Sequence, residues 1–399
     1  MSGTYRKRGI MSAPVVINAV RTAVATSRKG SLANTSGEIL VETILRAALE
    51  RSGVDPLLVD DVVMAESGYG GGVLARYGAV KVGLMQAGGM AVNRHCAGSL
   101  SAIGVAAGAI ISGMERLMIA GGVYAGSMGA KSLWRTPGTD DWAPRLPPTH
   151  PDIPGAPHDD MSITVGWNTA QAAGLTREDM DAWAVRSHHR AVAAIDAGNF
   201  KDEITPVDAV QPDGTTKVFE VDEHPRRDSS MEKMATLKIL HPEIEGFSIT
   251  AGNASGVNDA ASALTLASAE FAKSEGHDPV ARILGWTARG VNPFDTGLGA
   301  IEAIKKLLER TGRQVSDIAL WEINEAFASV PVAACRMLNI SEDLVNISGS
   351  GCSLGHPIAA TGGRMLTTLI NDLKRRGGGL GVAAMCAGGG QGGAMLIEV

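Results

Sequence analysis

The spacing of hydrophobic and polar residues divides this chain into short apolar runs that alternate with longer amphipathic stretches. Apolar runs of about six residues are typical of buried strands, and apolar positions three or four residues apart are typical of helices. A capping box at Thr35 and Glu38 is predicted to start the first helix. The elements predicted before residue 125 are strands at 15–20, 61–65 and 116–122 and helices at 35–51, 74–85 and 97–114.

The same alternation returns after residue 255 and favours a layered α/β fold. The elements predicted there are helices at 257–273, 298–309, 326–338 and 358–375 and strands at 281–287, 318–323, 345–347, 381–385 and 394–398. In each half an apolar strand leads to a reactive residue and then to a helix of small residues. Cys96 follows Val92 in this way, and His356 follows Ile347. We therefore predict two structurally similar halves that face one another.

The stretch between the halves differs from both. Seven of the seventeen prolines lie at 137–157, so regular helix or central strand is excluded there. Two interpretations stay open: a surface excursion, or a lid over a substrate pocket. A helix is predicted at 177–197, where His188 and His189 are expected to be surface residues, and short strands at 203–207 and 217–221. The predicted domains are an N-terminal half at 1–125, completed by 256–278, an inserted loop domain at 126–255 and a C-terminal half at 279–399.

Composition narrows the class of protein. The chain has 399 residues, 45% of them hydrophobic and 20% charged, which is ordinary for a globular protein. Its net charge is −6 without a basic stripe, which argues against a nucleic-acid partner. No apolar run is long enough to cross a membrane, and residues 1–11 lack the apolar core of a signal peptide. We expect a cytoplasmic protein without a membrane partner.

The four cysteines, Cys96, Cys335, Cys352 and Cys386, have no spacing typical of a disulfide framework or a zinc site. No metal site is predicted. Cys96 stands at a strand-to-helix junction, where unpaired N–H groups and the helix dipole favour a thiolate. A buried structural cysteine is the alternative for this residue alone. Cys335 is predicted to lie in the core, and Cys352 to be a packing residue.

Three glycine-rich or polar segments of the C-terminal half are candidates for chemistry: Asn324-Glu325-Ala326-Phe327, Gly355-His356-Pro357 and Cys386-Ala387-Gly388-Gly389-Gly390. Each alone is also compatible with a plain structural role. Pro357 suits the first position of a helix, and a glycine run suits a turn between strands. The motifs have to be considered together with Cys96.

Together these motifs resemble the thiolase family over essentially the whole chain. The shared patterns are Asn-Arg-x-Cys, Thr-Ala-Gly-Asn-Ala-Ser-Gly followed by Asn-Asp, Asn-Glu-Ala-Phe, Gly-His-Pro-x-x-Ala-Thr-Gly and Cys-x-Gly-Gly-Gly-x-Gly. The resemblance implies the thiolase fold, with two similar α-β-α-β-α halves and an inserted loop domain. It also implies a homodimer or homotetramer.

The resemblance implies CoA-dependent cleavage of a 3-ketoacyl-CoA through an acyl-enzyme, a reversible Claisen condensation. Cys96 would be the nucleophile, His356 the general base and an oxyanion-hole residue, and Cys386 the second acid/base. Asn324 would serve the oxyanion hole through a water, and Gly388 would serve it through its backbone N–H. These residue types fit, because covalent catalysis needs a base beside the nucleophile and fixed donors for each oxyanion.

Coenzyme A is expected as a substrate rather than as a permanently bound cofactor. The family positions that bind it match Arg226, Ser255 and Phe327. Two alternatives stay open for these residues: Arg226 as an exposed arginine without a specific role, and Phe327 as a core residue.

Three departures from the family pattern affect the choice of reaction. Residues 97–99 read Ala-Gly-Ser where Ser-Gly order is usual, Ala359 replaces a glycine, and Lys131 stands where biosynthetic members carry histidine. The last favours a degradative acetyl-CoA C-acyltransferase of fatty acid β-oxidation, with a biosynthetic acetyl-CoA C-acetyltransferase as the alternative. A ketoacyl synthase-type condensing enzyme and a non-catalytic acyl-CoA-binding protein are more remote, because Cys386 accompanies Cys96, Asn324 and His356.

Overall fold

The computed structural model describes residues 13–399. The strands are β1 (Pro14–Thr22), β2 (Ala25–Thr26), β3 (Asp61–Glu66), β4 (Met90–Val92), β5 (Leu117–Tyr124), β6 (Leu133–Arg135), β7 (Trp142–Pro144), β8 (Ile204–Thr205), β9 (Val207–Val210), β10 (Thr216–Phe219), β11 (Asn258–Ser268), β12 (Ala281–Gly290), β13 (Leu320–Ile323), β14 (Leu380–Ala387) and β15 (Gln391–Glu398). The α-helices are α1 (Gly37–Ser52), α2 (Leu74–Lys81), α3 (Gly98–Ser112), α4 (Asn168–Ala172), α5 (Arg177–Asp196), α6 (Met231–Ala235), α7 (Ala269–Ser274), α8 (Gly299–Thr311), α9 (Ser329–Leu338) and α10 (Thr361–Arg375).

Both halves of the chain contribute to one large sheet, in the order β13-β14-β15-β12-β1-β11-β5-β3-β4. In the N-terminal half β3 is parallel to β5, which is antiparallel to β11. The C-terminal half repeats this pattern, since β13 is parallel to β14 and β14 is antiparallel to β15. The halves join where Val15 pairs with Arg282 and Val16 with Ala281. The predicted repeat of two α/β halves is therefore confirmed.

Helices complete five layers in the order α-β-α-β-α. α1 and α2 cover the outer face of the N-terminal strands, and α8 covers the C-terminal strands with α9 packed against it. α3 and α10 lie between the two sets of strands and contact both. They approach so closely that a Cβ at Gly362 would lie 2.7 Å from Leu100. The central layer therefore carries the turns that precede α3 and α10 to one place.

The central position of α3 also explains its composition. In the described part of the chain, the segment from His95 to Ser112 is long and apolar enough to cross a membrane. Sixty-one percent of that segment is buried inside the protein. A helix enclosed between two sets of strands has to be apolar around most of its surface.

The helix predicted at 257–273 is wrong over most of its length, and only its last residues are helical, in α7. Asn258–Ser268 is strand β11, and all of its residues are buried. β11 pairs with β1 on one side and β5 on the other, and helices cover both faces of the sheet. Both faces of the strand therefore need small or apolar residues, which removes the two-residue period that would have revealed a strand.

The capping box predicted for the first helix is also wrong. α1 begins after Ser36, which makes no side-chain capping hydrogen bond. The Thr35 hydroxyl instead accepts the backbone N–H of Val210 at 3.0 Å. The Glu38 carboxylate accepts the Tyr69 hydroxyl at 2.6 Å. Both side chains are engaged in tertiary contacts, which local sequence does not encode.

The strand predicted at 345–347 is reduced to one parallel bridge between Val345 and Trp321. Asn346 ends the extended stretch, because its φ is 51°. Its side-chain amide takes over the pairing: it donates to the carbonyl of Ile323 and accepts the N–H of Ile323, both at 2.8 Å. The bridge has the same place beside β13 that β4 has beside β3.

The inserted stretch contains the predicted helix α5 and the hairpin of β6 and β7, whose residues are exposed. Its strand β8 pairs with β1, so the insertion also extends the main sheet. The surface position predicted for His188 is wrong, since its exposed fraction is 3%. The segment that carries His224 and Arg226 packs against this side of α5 and covers His188. The domain boundaries themselves stay a prediction.

Candidate active site

Cys96 lies in a single 3-10 turn, His95–Ala97, between β4 and α3. The Asn93 side chain accepts the N–H of His95 at 2.8 Å and holds this turn. The reversed order of the next two residues has a structural explanation. A Cβ at Gly98 would lie 2.8 Å from that of Ala65, and the Ser99 hydroxyl accepts the N–H of Gly363 at 2.9 Å. Gly98 and Ser99 therefore pack this turn against β3 and α10.

The Cys96 thiol is not ionised by its position at a helix start. Burial raises the pKa of Cys96 to about 11, while the N–H groups of Gly388 and of Cys96 itself act in the opposite direction. Desolvation of the thiolate thus outweighs the favourable backbone dipoles. The sulfur needs a base to take its proton.

His356 is held in one orientation by the residues around it. Its backbone N–H donates to the Asn258 side chain at 2.9 Å, and a Cβ at Gly355 would lie 2.5 Å from the same amide. Its Nδ1 lies 2.7 Å from the Thr361 hydroxyl, which donates to the carbonyl of Pro357 at 2.9 Å. Since that hydroxyl proton is used, Nδ1–H is the donor and Nε2 carries the lone pair.

Nε2 of His356 is buried and has no hydrogen-bond partner among the described residues. Burial, with a smaller effect of the Arg364 charge, lowers the pKa of His356 to about 3. The imidazole is therefore neutral at physiological pH. A neutral ring with a free Nε2 is a base in the required form.

Asn324 follows β13 and places its amide 3.4 Å from Nδ1 of His356. Its backbone N–H donates to the carbonyl of Ala384 at 2.9 Å, and its Oδ1 lacks a partner within residues 13–399. Because Nδ1 is a donor, the amide is best oriented with its oxygen toward the ring. Its NH2 group then faces the site and can hold a water, as the resemblance implies.

Cys386 lies near the end of β14 and is buried. Burial, and then the neighbouring Cys96, raise the pKa of the Cys386 thiol above its ordinary value. The thiol is therefore protonated in the resting protein and can donate its proton. The two sulfurs are close enough for their charges to interact.

The glycines after Cys386 form a turn that leaves no room for side chains. Gly389 has a φ of 87° and Gly390 a φ of 75°. A Cβ at Gly389 would lie 2.7 Å from the carbonyl oxygen of Thr149. The later part of the proline-rich stretch therefore covers this turn, while its hairpin is exposed. The exposed hairpin agrees with the surface interpretation, and the lid over a substrate pocket stays a prediction for the later part of the stretch.

Glu325, which lies in a candidate motif but was given no role of its own from the sequence, is a buried carboxylate beside the site. It has no Lys or Arg partner within the described chain; four hydrogen bonds hold it instead. The donors are Trp183 at 2.8 Å, Ser187 at 2.6 Å, Asn346 at 2.8 Å and the N–H of Cys352 at 3.0 Å. Glu325 thus ties α5 to the segments that carry Asn324 and His356. The sequence signal that could have revealed Glu325 is its position directly after Asn324.

The residues predicted to bind coenzyme A lie on neighbouring segments. The N–H of Ser255 donates to the carbonyl of Ala326 at 2.9 Å, beside Phe327. The exposed fraction of Phe327 is 9%, and its ring packs where a Cβ at Gly166 would be 2.9 Å away, which favours the core interpretation. Arg226 is exposed, and its side chain forms no hydrogen bond or salt bridge within residues 13–399.

The two remaining cysteines are confirmed as packing residues. Cys335 is buried in the hydrophobic core of the C-terminal half. Cys352 is buried, and its thiol donates to the carbonyl of Glu325 at 3.6 Å.

A cysteine, a neutral imidazole and a second thiol come together where two repeated α/β halves meet, and this is the set of groups that an acyltransferase working through a thioester requires. Family models described as "Thiolase, N-terminal domain" and "Thiolase, C-terminal domain" match residues 14–270 and 277–399. The chain belongs to the thiolase family, and its reaction is the thiolase reaction.

The named relatives of this chain agree with the assignment to the thiolase family. The "Acetyl-CoA acetyltransferase" of Escherichia coli (strain K12) is 38% identical over 396 residues, covering 96% of this chain and 98% of that protein. The protein of that name from Cupriavidus necator is 36% identical, covering 97% and 100%. These names match the acetyltransferase alternative rather than the degradative preference.

Similar solved structures include both an acetyl-CoA acetyltransferase and a 3-ketoacyl-CoA thiolase. The acetyl-CoA acetyltransferase of Bacillus anthracis superposes with a TM-score of 0.90 at 36% identity, covering 98% of this chain and 99% of that one. The human mitochondrial 3-ketoacyl-CoA thiolase superposes with a TM-score of 0.88 at 30% identity, covering 98% and 100%. The thiolase fold is therefore confirmed, and the direction of the reaction is not distinguished.

Proposed function

We propose that this protein catalyses the reversible thiolysis of acetoacetyl-CoA, with Cys96, His356 and Cys386 as its catalytic residues. The observation that carries the proposal is the free, neutral Nε2 of His356 at the junction of the halves. The turn that follows His356 packs against the turn that carries Cys96. The protonated thiol of Cys386 lies beside the same sulfur.

In the first half-reaction the Cys96 sulfur attacks the 3-keto carbonyl, and its proton goes to Nε2 of His356. The resulting oxyanion accepts the N–H groups of Cys96 and Gly388. Collapse of this intermediate breaks the Cα–Cβ bond and releases the enolate of acetyl-CoA. The enolate takes the proton of Cys386, while Asn324, through a water, and His356 stabilise its oxygen.

In the second half-reaction coenzyme A enters and gives its thiol proton to the Cys386 thiolate. Because the pKa of Cys386 is raised, the Cys386 thiolate is a stronger base than the thiolate of coenzyme A and can take its proton. The CoA sulfur attacks the acyl group on Cys96, and the departing Cys96 sulfur recovers its proton from His356. Both catalytic residues return to their starting forms, so protons balance over the cycle.

The choice of a four-carbon substrate rests on the names of the relatives, which are acetyl-CoA acetyltransferases. A degradative enzyme for longer 3-ketoacyl-CoA substrates is the second candidate. It is favoured by Lys131, which replaces the histidine usual in biosynthetic members. A homodimer or homotetramer in the cytoplasm is part of the proposal.

A thiolysis assay over 3-ketoacyl-CoA substrates from four carbons to long chains separates the two candidates. We expect the highest kcat/KM with acetoacetyl-CoA. A preference for long chains would support the degradative candidate. Incubation with acetyl-CoA should leave an acetyl group on Cys96, detectable by peptide mass spectrometry; its absence would contradict the acyl-enzyme.

The pH dependence of the reaction is predicted from the lowered pKa of His356. A free histidine loses its basic form below pH about 6.5, whereas His356 stays neutral until the pH falls toward 3. The acid limb of kcat/KM for acetoacetyl-CoA is therefore expected below pH 5. A limb centred near pH 6.5 would contradict a buried, neutral His356.

Thr361→Val should lower kcat by about fivefold, because the ring of His356 then loses the partner of its Nδ1–H, a hydrogen bond of about 1 kcal/mol. Thr367→Val is the matched control. Thr367 lies on the same helix, is buried and donates to the carbonyl of Gly363 at 2.8 Å, away from the histidine. Equal kinetic losses in both variants would mean that the helix, and not the ring orientation, is affected.

A further inference from the structure

Two adjacent histidines of α5 hold the segment at 224–229, which carries Arg226. The Nδ1 atom of buried His188 accepts the backbone N–H of Arg226 at 3.1 Å. Nε2 of His189 lies 2.8 Å from the carbonyl oxygen of Ser229. The N–H of Ser229 returns to the carbonyl of Arg226 at 3.3 Å and closes a turn. α5 therefore fixes both ends of the turn that presents Arg226.

The side chains of this turn are divided between structure and solvent. Arg227 is bound to Asp196 of α5 through two hydrogen bonds of 2.7 and 2.5 Å. Arg226 has no such partner in the described chain and is exposed. Arg226 is thus the guanidinium left available for an anionic group such as a phosphate.

His224 connects the same turn to the catalytic residues. Its ring stacks on that of His188, with ring centres 6.2 Å apart and planes at 27°. Its Nδ1 donates to the carbonyl of Ser353 at 2.8 Å, three residues before His356. Its Nε2 occupies the space beside Gly256, where a Cβ would be 2.7 Å away. The ring therefore fills the gap between the Ser255–Gly256 segment and the catalytic loop.

We propose that His188 is a positioning residue for coenzyme A, which fixes the Arg226 backbone through Nδ1 and, through His224, joins the nucleotide-binding turn to the His356 loop. This inference rests on the proposed thiolase function and on the CoA-binding role that the family resemblance implies for Arg226. His188 acts through Arg226 and does not itself touch the substrate. An acceptor at Nδ1 exists only while that nitrogen is unprotonated.

The surroundings of His188 keep it in that form. Burial, followed by the charges of His224, Arg226 and His189, lowers its pKa to about 3, and Asp228 acts weakly in the opposite direction. His188 is therefore neutral throughout the physiological range, and the hydrogen bond to Arg226 is permanent rather than switched by pH.

The test compares two thiols, coenzyme A and pantetheine, the second of which lacks the nucleotide. His188→Leu keeps the bulk of the side chain but removes the acceptor, and should raise KM for coenzyme A about five- to tenfold with kcat within about twofold, as expected for one hydrogen bond. KM for pantetheine should stay within about twofold. His188→Asn should restore KM for coenzyme A, because its Oδ1 takes the place of Nδ1.

An equal rise in KM for coenzyme A and for pantetheine would overturn the inference, since a general packing defect would affect both thiols alike. An unchanged KM for coenzyme A, or no rescue by asparagine, would also overturn it. If the leucine variant does not fold, His188→Met, which also lacks the acceptor and adapts its shape, replaces it.

Arg226→Ala separates this inference from the function on which it rests. If Arg226→Ala leaves KM for coenzyme A unchanged, the proposed CoA-binding role of Arg226 fails. If Arg226→Ala raises KM for coenzyme A and His188→Leu does not, the inference about His188 alone fails. The inference is supported if KM for coenzyme A rises in both single variants. In the double variant the rise in KM should then be smaller than the product of the two single rises.

Discussion

Cys96→Ala is expected to lower kcat for thiolysis of acetoacetyl-CoA by about 10⁴-fold or more, because removal of a nucleophile ends covalent catalysis. Cys386 cannot replace the Cys96 sulfur, since it acts as an acid. The backbone donors cannot replace it either, since they only stabilise charge. The same variant should also take up no acetyl group from acetyl-CoA. Initial rates and peptide mass spectrometry measure the two effects.

Cys335→Ala is the matched control for this experiment. Cys335 is a buried cysteine of α9 with no part in the site. Its replacement should cost stability, as any buried large-to-small change does, and leave kcat within about threefold. Full thiolytic activity in Cys96→Ala would contradict the catalytic assignment, and with it the proposed acyl-enzyme.

His356→Ala is expected to lower kcat by about 10⁴-fold as well, through two losses. A general base contributes about 10²- to 10⁴-fold, and one oxyanion donor contributes about 10²-fold or more. The pKa of Cys96, raised to about 11 by burial, makes the first loss severe, because the sulfur does not ionise unaided. Single-turnover acetylation of Cys96 by acetyl-CoA measures it directly.

His356→Asn tests whether the two losses are distinct. An asparagine keeps a donor near the oxyanion but provides no base, so it should recover part of kcat relative to alanine. His277→Ala, at a partly buried histidine remote from the site, controls for loss of a histidine in general. A rapid acetylation of Cys96 in His356→Ala would mean that another group takes the proton.

Much of the chemistry was predictable because its residues belong to short motifs. Cys96, Asn324 and Cys386 each lie near the end of a strand, and strand ends are visible in the apolar pattern. His356 was marked instead by its Gly-His-Pro motif. The repeat of the halves was predicted from the order of elements, since in each half an apolar strand leads to a reactive residue and then to a helix of small residues. The neutral form of His356 was not predictable, because it depends on burial and on Thr361.

The errors share one physical cause. β11 was predicted as a helix, since a strand enclosed on both faces loses its alternation. His188 was predicted at the surface, since nothing in its local sequence encodes the turn that covers it. Asn346 replaces strand pairing by a side-chain amide that reaches Ile323 from a residue 23 positions away. Each depends on contacts between segments distant in sequence.

The sequence by itself determined the motifs that hold the candidate catalytic residues of this thiolase, the alternation of strands and helices, and the repetition of the two halves, because these are properties of local pattern. Only the tertiary structure decided that Cys96 is a neutral thiol rather than a thiolate, and that Nε2 of His356 is free. Only the tertiary structure placed His188 beneath Arg226. Burial and hydrogen bonding between distant segments set these properties, and no local pattern carries them.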